Sequence, residues 1–169
     1  KKNLILIKTK NNIGKKLNEI RSINGGLLSQ QKNNIVVKLR DLTKKTKTKE
    51  SKKTIDDLIF CFKVCKHVKS NAIVLGKNKQ TFGIGAGQMS RVDATKIALD
   101  KTSKKNKKLG FVVASDAFFP FTDSLKLLFK ENCKGVIQPK GSKNDYKIVN
   151  FANKKGIPLY FSKYRFFKH

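Results

Sequence analysis

Short apolar runs separated by turn-forming residues recur along the chain and predict buried β-strands. Between several of them apolar residues recur every three or four positions, which is typical of an amphipathic helix. Strand and helix alternate over the second two-thirds of the chain, which indicates a layered α/β domain. The predicted strands are residues 4–7, 35–37, 72–75, 81–84, 111–114, 136–137 and 159–161. The predicted helices are residues 54–67, 90–101 and 145–155, with another beginning at Asp123 or Ser124.

Turn and cap residues between these elements support the assignment. Asn24-Gly25-Gly26 predicts a tight turn, and Lys77-Asn78-Lys79 predicts the turn of a β-hairpin. Thr54 and Asp57 have the spacing of a capping box, so the first long helix is predicted to begin there.

Charge is the unusual feature of the composition. The chain has 39 Lys and Arg against 11 Asp and Glu, a net charge of +28, which favours contact with phosphate groups. However, arginine, which holds phosphates and bases best, occurs at only four positions, and the lysines are scattered as in a protein from an A+T-rich coding sequence. We therefore expect sequence-independent, salt-sensitive adhesion to polyanions and no specific nucleic-acid partner. Two lysine-dense runs, 44–53 and 101–108, are predicted to be solvated loops.

Length and cysteine content narrow the class of protein. The 169 residues have the size of one domain, which can bury a core without disulfides or a structural metal. The three cysteines form no Cys-X-X-Cys pair, so neither a disulfide framework nor a metal site is predicted. No apolar run approaches the roughly 18 residues of a membrane helix, and residues 1–10 do not resemble a signal peptide. A reduced, cytoplasmic location is expected, and the Lys-Lys start suggests a partial product.

The glycine-rich segment 83–91 is the first candidate for chemistry. Backbone N–H groups without side-chain bulk at a helix N-terminus favour an anion, and Arg91 could add paired donors. The glycines could instead serve close packing, with Arg91 merely solvated. The pattern alone leaves both interpretations open.

Residues 115–123 follow a predicted strand, a position at which open α/β sheets bind ligands. Three Phe around Pro120 could form an apolar wall for a flat heterocycle, or they could fill the core with Asp123 as a helix cap. His67 carries no catalytic signal by itself. The alternating aromatic residues near the end, residues 164–167, predict an edge segment tied to the body of the domain.

Several segments together resemble one family. The similarity covers essentially the whole chain, and the block from Gly83 to Val92 is its most specific part. In order along the chain, these segments resemble the C-terminal part of the bifunctional purine-biosynthesis family, which couples AICAR transformylase to IMP cyclohydrolase. The segments are residues 24–28, 68–74, 83–92, 114–123, 136–139 and 165–169.

The resemblance implies a cytidine-deaminase-like α/β fold, with a layered sheet and helices on both faces. The chain would be the C-terminal half of the transformylase domain, holding one subdomain and part of a preceding one. Its parts would be a connecting segment (1–43), a basic loop (44–53) and the subdomain itself (54–169). A homodimer with the active site at its interface is also implied, with a separate N-terminal segment as a possible further partner and no membrane partner.

The resemblance further implies formyl transfer from 10-formyltetrahydrofolate, the co-substrate, to the exocyclic amine of AICAR on the route to IMP, without a metal. The catalytic role in this chain would fall to Asn71. Four residues match positions that contact AICAR: Asn71, Arg91, Phe118 and Arg165. Four others match positions that contact the folate: Val92, Asp123, Ser142 and Lys143.

The sequence departs from the family pattern near these positions. The family's general-base Lys-His pair belongs upstream of Lys1, and Lys66-His67 lies elsewhere, so the role of base is not transferred to it. Thr122, Lys140 and Lys143 replace the residues usual in the family near the folate. The chain alone is therefore expected to bind ligand weakly and to turn over little.

Other classes of function are weighed against this one. A degenerate, noncatalytic remnant and a basic nucleic-acid-binding protein both remain alternatives. A zinc deaminase is excluded because the sequence contains neither His-X-Glu nor Pro-Cys-X-X-Cys.

Overall fold

The chain divides into two structural units, Lys1–Val36 and Val37–His169. In this computed structural model the described residues are 5, 7, 18–31 and 33–168. No helix within these described ranges is both long and apolar enough to cross a membrane.

The first unit contains an antiparallel hairpin of β1 (Asn18–Ile23) and β2 (Gly26–Gln31). Ile23 pairs with Gly26 across a two-residue turn in which Gly25 has a φ of +80°. A positive φ at this position is easy only for glycine, so the predicted turn at Asn24-Gly25-Gly26 is confirmed. The predicted strand at residues 4–7 lies mostly outside the described residues.

A six-stranded mixed sheet forms the centre of the second unit. Its strands are β3 (Leu42–Lys44), β4 (Ile73–Lys77), β5 (Gln80–Gly85), β6 (Phe111–Ser115), β7 (Cys133–Pro139) and β8 (Leu159–Ser162). They lie in the order β3–β8–β7–β6–β4–β5. β6, β7 and β8 are parallel, whereas β3 is antiparallel to β8 and β4 is antiparallel to both β5 and β6.

The helices are α1 (Lys52–Cys65), α2 (Arg91–Asp100), α3 (Lys104–Leu109), α4 (Asp123–Lys130) and α5 (Asp145–Lys154). Helices cover both faces of this sheet, as predicted. On one face α1 packs Leu58 and Phe62 against Val112 and Ile137. On the other face α2, α4 and α5 pack against a second core that includes Val113. Because both faces are buried, the central strands appear in the sequence as continuous apolar runs.

The predicted start of α1 at Thr54 is wrong by two residues. Ser51 is the cap, since its hydroxyl accepts a hydrogen bond from the Thr54 N–H at 3.2 Å. The Asp57 carboxylate instead accepts from the backbone N–H groups of Asn78 and Lys79 at 2.9 Å each. This carboxylate therefore fixes the turn of the β4–β5 hairpin to α1.

The two lysine-dense runs are not simply solvated loops. The run 44–53 begins in β3, and Glu50 within it forms an ion pair with Lys44 at 2.6 Å and a hydrogen bond with Tyr160. The run 101–108 contains most of α3, because Ser103 caps a stretch of lysines with good helix propensity.

The predicted strand at residues 35–37 is also wrong. These residues have no regular secondary structure, and Val37 is buried against the core on the α1 side of the sheet. Its apolar character reflects this packing, which does not require a strand.

Two of the alternating glycines allow α2 to lie directly on β5. A Cβ at Gly83 would stand 2.0 Å from the Ala98 carbonyl oxygen, and one at Gly85 would stand 1.8 Å from that of Ala94. Close packing thus accounts for these two glycines, while Gly87 is exposed with a φ of +66°.

We predict that Gly85→Ala destabilises the domain by about 3 kcal/mol, since a methyl group cannot occupy the position of a backbone oxygen without moving α2. Gly26→Ala is the control, because no atom of the described residues lies within 4 Å of a Cβ built there, and it should change stability by less than about 0.5 kcal/mol. Urea unfolding followed by circular dichroism measures both. Equal stability of the two variants would contradict the close packing of α2 on β5.

Candidate functional site

One edge of the sheet collects the segments that the sequence singled out. The three parallel strands β6, β7 and β8 all end at this edge, and the antiparallel neighbour β4 begins there. Open α/β sheets commonly bind ligands in this position. We call it the carboxyl edge, made of residues 69–72, 86–91, 115–123, 139–145 and 162–168.

Arg91, the first residue of α2, extends into this edge and is not solvated. Its side chain is only 8% exposed, and Nη1 donates to Asp116 Oδ1 at 2.6 Å and to Ser115 Oγ at 2.8 Å. Nη2 donates to Asn71 Oδ1 at 2.7 Å. Two of the predicted AICAR-contacting residues, Asn71 and Arg91, are thus in direct contact.

The Asn71 amide also anchors the end of the glycine-rich segment. Its Nδ2 donates to the carbonyl oxygens of Gln88 at 2.8 Å and Met89 at 3.2 Å. The backbone N–H of Gly87 donates to the Lys69 carbonyl at 2.7 Å. Residues 86–91 are therefore held against the start of β4 by both backbone and side-chain bonds.

Phe118 and Arg165, the other two predicted AICAR-contacting residues, also lie together. The Arg165 guanidinium carbon is 5.2 Å from the centre of the Phe118 ring and 5.3 Å from that of Phe167. These distances are typical of cation–π contacts. Arg165 is exposed and Phe118 is half-buried, so this pair remains accessible.

The final segment is tied to the body of the domain, as predicted. The Phe166 N–H donates to the Asp116 carbonyl at 3.0 Å, and Phe166 packs against Phe62 with ring centres 4.8 Å apart. Lys168 exchanges two hydrogen bonds with Ser70, at 2.8 and 2.9 Å. These bonds place Arg165 at the same edge as Asn71, while His169 lies outside the described residues.

Three of the predicted folate-contacting residues, Asp123, Ser142 and Lys143, lie in two segments of this edge, and Val92 directly follows a third. Val92 is half-buried in α2, and Asp123 is exposed at the start of α4, where Oδ1 accepts from the Ser124 N–H at 2.7 Å. Ser142 Oγ accepts from the Asn144 N–H at 3.1 Å, and Lys143 is exposed. No hydrogen bond or ion pair within the described part of the chain joins these four side chains.

The loops that carry Asp123 and Ser142 are nevertheless tied together. Asn144 Nδ2 donates to the Pro120 carbonyl at 2.9 Å, which links residues 118–123 to residues 139–145. The sequence left two interpretations open for the three Phe of residues 118–123, an apolar wall for a ligand or filling of the core, and the structure shows both kinds of environment. Phe119 is fully buried in the core, whereas Phe118 is half-buried and Phe121 is 62% exposed.

Sequence reasoning missed two fully buried polar residues here, Asp116 and Gln138. Gln138 Oε1 accepts from the Phe119 N–H at 3.2 Å and thereby shapes the loop after β6. A polar residue at the end of a buried apolar strand was the available signal for both. Their partners, however, come from segments that are distant in the sequence.

The cysteines are structural. Burial raises the pKa of Cys133 to about 12, and burial raises the pKa of Cys65 well above its usual value, so both thiols stay protonated near neutral pH. The Cys65 thiol donates to the Ala114 carbonyl at 3.3 Å. Among the described residues, no group of three or more His, Cys, Asp or Glu is arranged to hold a metal ion.

Fold and site together define a mixed α/β domain with a polar cluster at the carboxyl edge of its sheet. A family model described as the AICARFT/IMPCHase bienzyme matches residues 1–101. The chain belongs to this family.

Curated relatives match along nearly all of the chain. The bifunctional purine biosynthesis protein PurH of Chlorobium phaeobacteroides is 45% identical over 152 residues, which are 89% of this chain and 29% of that protein. PurH of Fusobacterium nucleatum is 44% identical over 169 residues, which are 100% of this chain and 33% of that protein. The chain therefore spans about a third of the length of these relatives.

Solved structures add little to this assignment. A structure of Acinetobacter baumannii RibD aligns with a TM-score of 0.41 and 17% identity, over 62% of this chain and 33% of RibD. A likeness at this level supports no argument about function.

We predict that Arg91→Met destabilises the domain by about 3–5 kcal/mol, because it leaves the buried Asp116 carboxylate without a cation. Arg165→Ala removes exposed cation–π contacts with Phe118 and Phe167 and should cost about 0.5–1 kcal/mol. Urea unfolding of the two variants under the same conditions measures the difference. Similar losses would show that the Arg91–Asp116 pair does not stabilise the edge.

Proposed function

We propose that this chain carries the AICAR-contacting part of a formyltransferase site that uses 10-formyltetrahydrofolate in the biosynthesis of IMP. The observation that carries the proposal is the convergence of Asn71 and Arg91 with Phe118 and Arg165 at one edge of the sheet. These residues are up to 94 positions apart in the sequence (165 − 71). The names of the curated relatives support the same pathway.

The exposed and buried residues suit different parts of the nucleotide. AICAR has a phosphate, a flat imidazole ring, a carboxamide and an exocyclic amine. Arg165 is exposed and can neutralise an anionic group, and Phe118 offers a ring face for stacking. The half-buried amide of Asn71 suits the carboxamide or the amine, and Arg91 fixes that amide.

The folate is assigned to the neighbouring loops. The exposed Asp123 carboxylate can accept hydrogen bonds from a pterin, and Phe121 adds exposed apolar surface beside it. Ser142 and Lys143 lie in the second of these loops, residues 139–145, and would contact the folate from there. In this proposal the fold is cytidine-deaminase-like and the complete site lies at the interface of a homodimer.

Binding of AICAR to this chain, measured by isothermal titration calorimetry, tests the proposal. Phe118→Ala and Arg165→Ala should each weaken binding by about tenfold, a loss of roughly 1.4 kcal/mol. The chain offers a matched control at the opposite edge, where Lys155 lies 4.9 Å from the Phe129 ring centre. Phe129→Ala and Lys155→Ala should leave affinity within about twofold. If the site variants and the control variants weakened AICAR binding equally, the assignment of the site would be overturned.

Formyl transfer by the chain is a separate measurement. Because the family resemblance assigns the general base to an upstream segment, we expect little turnover from residues 1–169 alone. Substantial turnover would show that a base lies within this chain. His67, which is exposed and four residues before Asn71, would then be the first candidate for replacement.

A noncatalytic role remains the alternative to this proposal. A chain that binds AICAR but never supports formyl transfer, even in the presence of the rest of the family's transformylase domain, would favour it. Salt-sensitive adhesion to polyanions stays a prediction from the net charge of +28.

A further inference from the structure

Hydrogen bonds fix the orientation of the Asn71 side chain. The Arg91 guanidinium can only donate, so the amide atom facing it must be the oxygen. The carbonyl groups of Gln88 and Met89 can only accept, so the atom facing them must be the nitrogen. The two requirements agree, and the amide cannot flip without losing all three bonds.

This arrangement determines what Asn71 can still offer a ligand. Both hydrogens of Nδ2 are already donated to the protein, at 2.8 and 3.2 Å. Oδ1 accepts one bond from Arg91 and keeps a second lone pair. The unused capacity of the amide is therefore that of an acceptor, which matches an N–H group and not a carbonyl.

The position of Arg91 depends in turn on Asp116. The Asp116 side chain is fully buried, and its Oδ1 lies 2.6 Å from Arg91 Nη1. Its other oxygen, Oδ2, has no hydrogen-bond partner within the described residues. Ser115 Oγ donates to the Ala117 carbonyl, and it contributes only a neutral acceptor to Arg91. Asp116 is thus the residue that compensates the charge of Arg91 and holds it in place.

We infer that Asp116 is a positioning residue that acts through Arg91 to hold Asn71 as a hydrogen-bond acceptor for the exocyclic amine of AICAR. The inference deepens the proposed function and rests on it for the identity of the ligand. The three hydrogen-bonded side chains of Asp116, Arg91 and Asn71 together select a nucleotide that carries an N–H donor at this position. It does not itself react.

The first test needs no ligand. Hydrogen exchange of the Asn71 Nδ2 protons, measured by ¹⁵N NMR on the whole chain, should be slow in the wild type because both protons are bonded. Asp116→Ala should accelerate it by about tenfold, and Asp116→Asn, which keeps an acceptor oxygen in place, should give an intermediate rate. The second variant also keeps the test valid if Asp116→Ala does not fold.

Asp57→Asn is the matched control. Asp57 is likewise a buried carboxylate, but it lies at the opposite edge, where its two oxygens accept hydrogen bonds from Asn78 and Lys79. Its replacement therefore perturbs stability without touching Asn71. Exchange at Asn71 should stay at the wild-type rate in this variant. Unchanged exchange in both Asp116 variants, or equal acceleration in Asp57→Asn, would overturn the positioning role.

The second test compares AICAR with the same nucleotide carrying hydrogen in place of the 5-amino group. By calorimetry the wild type should prefer AICAR by about tenfold. This preference should shrink to within about twofold in Asn71→Ala and Asp116→Ala, and it should persist in Asp57→Asn. A preference that survives both site variants would overturn the acceptor role. If the wild type binds neither nucleotide, the proposed function fails, and the exchange measurement alone decides whether Asp116 positions Asn71.

Discussion

The buried ion pair between Arg91 and Asp116 is the interaction on which the carboxyl edge depends. Moving two such charges out of water costs several kcal/mol for each ion unless they are well paired. Here the pair is short, at 2.6 Å, and bonds to Ser115 and Asn71 use two further guanidinium donors. The pair joins α2, the loop after β6 and the start of β4. These segments cannot move independently without separating buried charges.

The close approach of α2 to β5 makes this pair possible. Gly83 and Gly85 remove the side chains that would otherwise hold the helix away from the sheet. The first residue of the helix, Arg91, is then deep enough to reach a carboxylate at the end of β6. Close packing and anion binding were the two explanations that the sequence left open for the glycine-rich segment. The structure shows the packing at Gly83 and Gly85, and it pairs Arg91 with the Asp116 carboxylate. The glycines serve packing, and the packing buries Arg91.

The sequence predicted most of the fold because both faces of the central strands are buried. β6, β7 and the β4–β5 hairpin appear as apolar runs between turn residues, and Ser90 marks the start of α2. β3 was missed because it is three residues long and exposed along most of its length. α3 was missed because its lysines indicate solvent but also favour a helix. At the site, Asp116 was overlooked because a strand-end aspartate usually belongs to a turn, and its role depends on a guanidinium 25 residues away.

The attachment of Lys168 to Ser70 connects residues 98 positions apart. Long-range contacts of this kind carry a large loop-closure entropy and form late when a chain folds. During synthesis Asn71 leaves the ribosome long before Arg165 and Lys168, so the carboxyl edge stays incomplete until residue 168 has emerged. The contacts of residues 162–168 therefore complete the carboxyl edge: without them the hydrogen bonds that Lys168 makes to Ser70 and that Phe166 makes to Asp116 are absent, even where the central strands have paired.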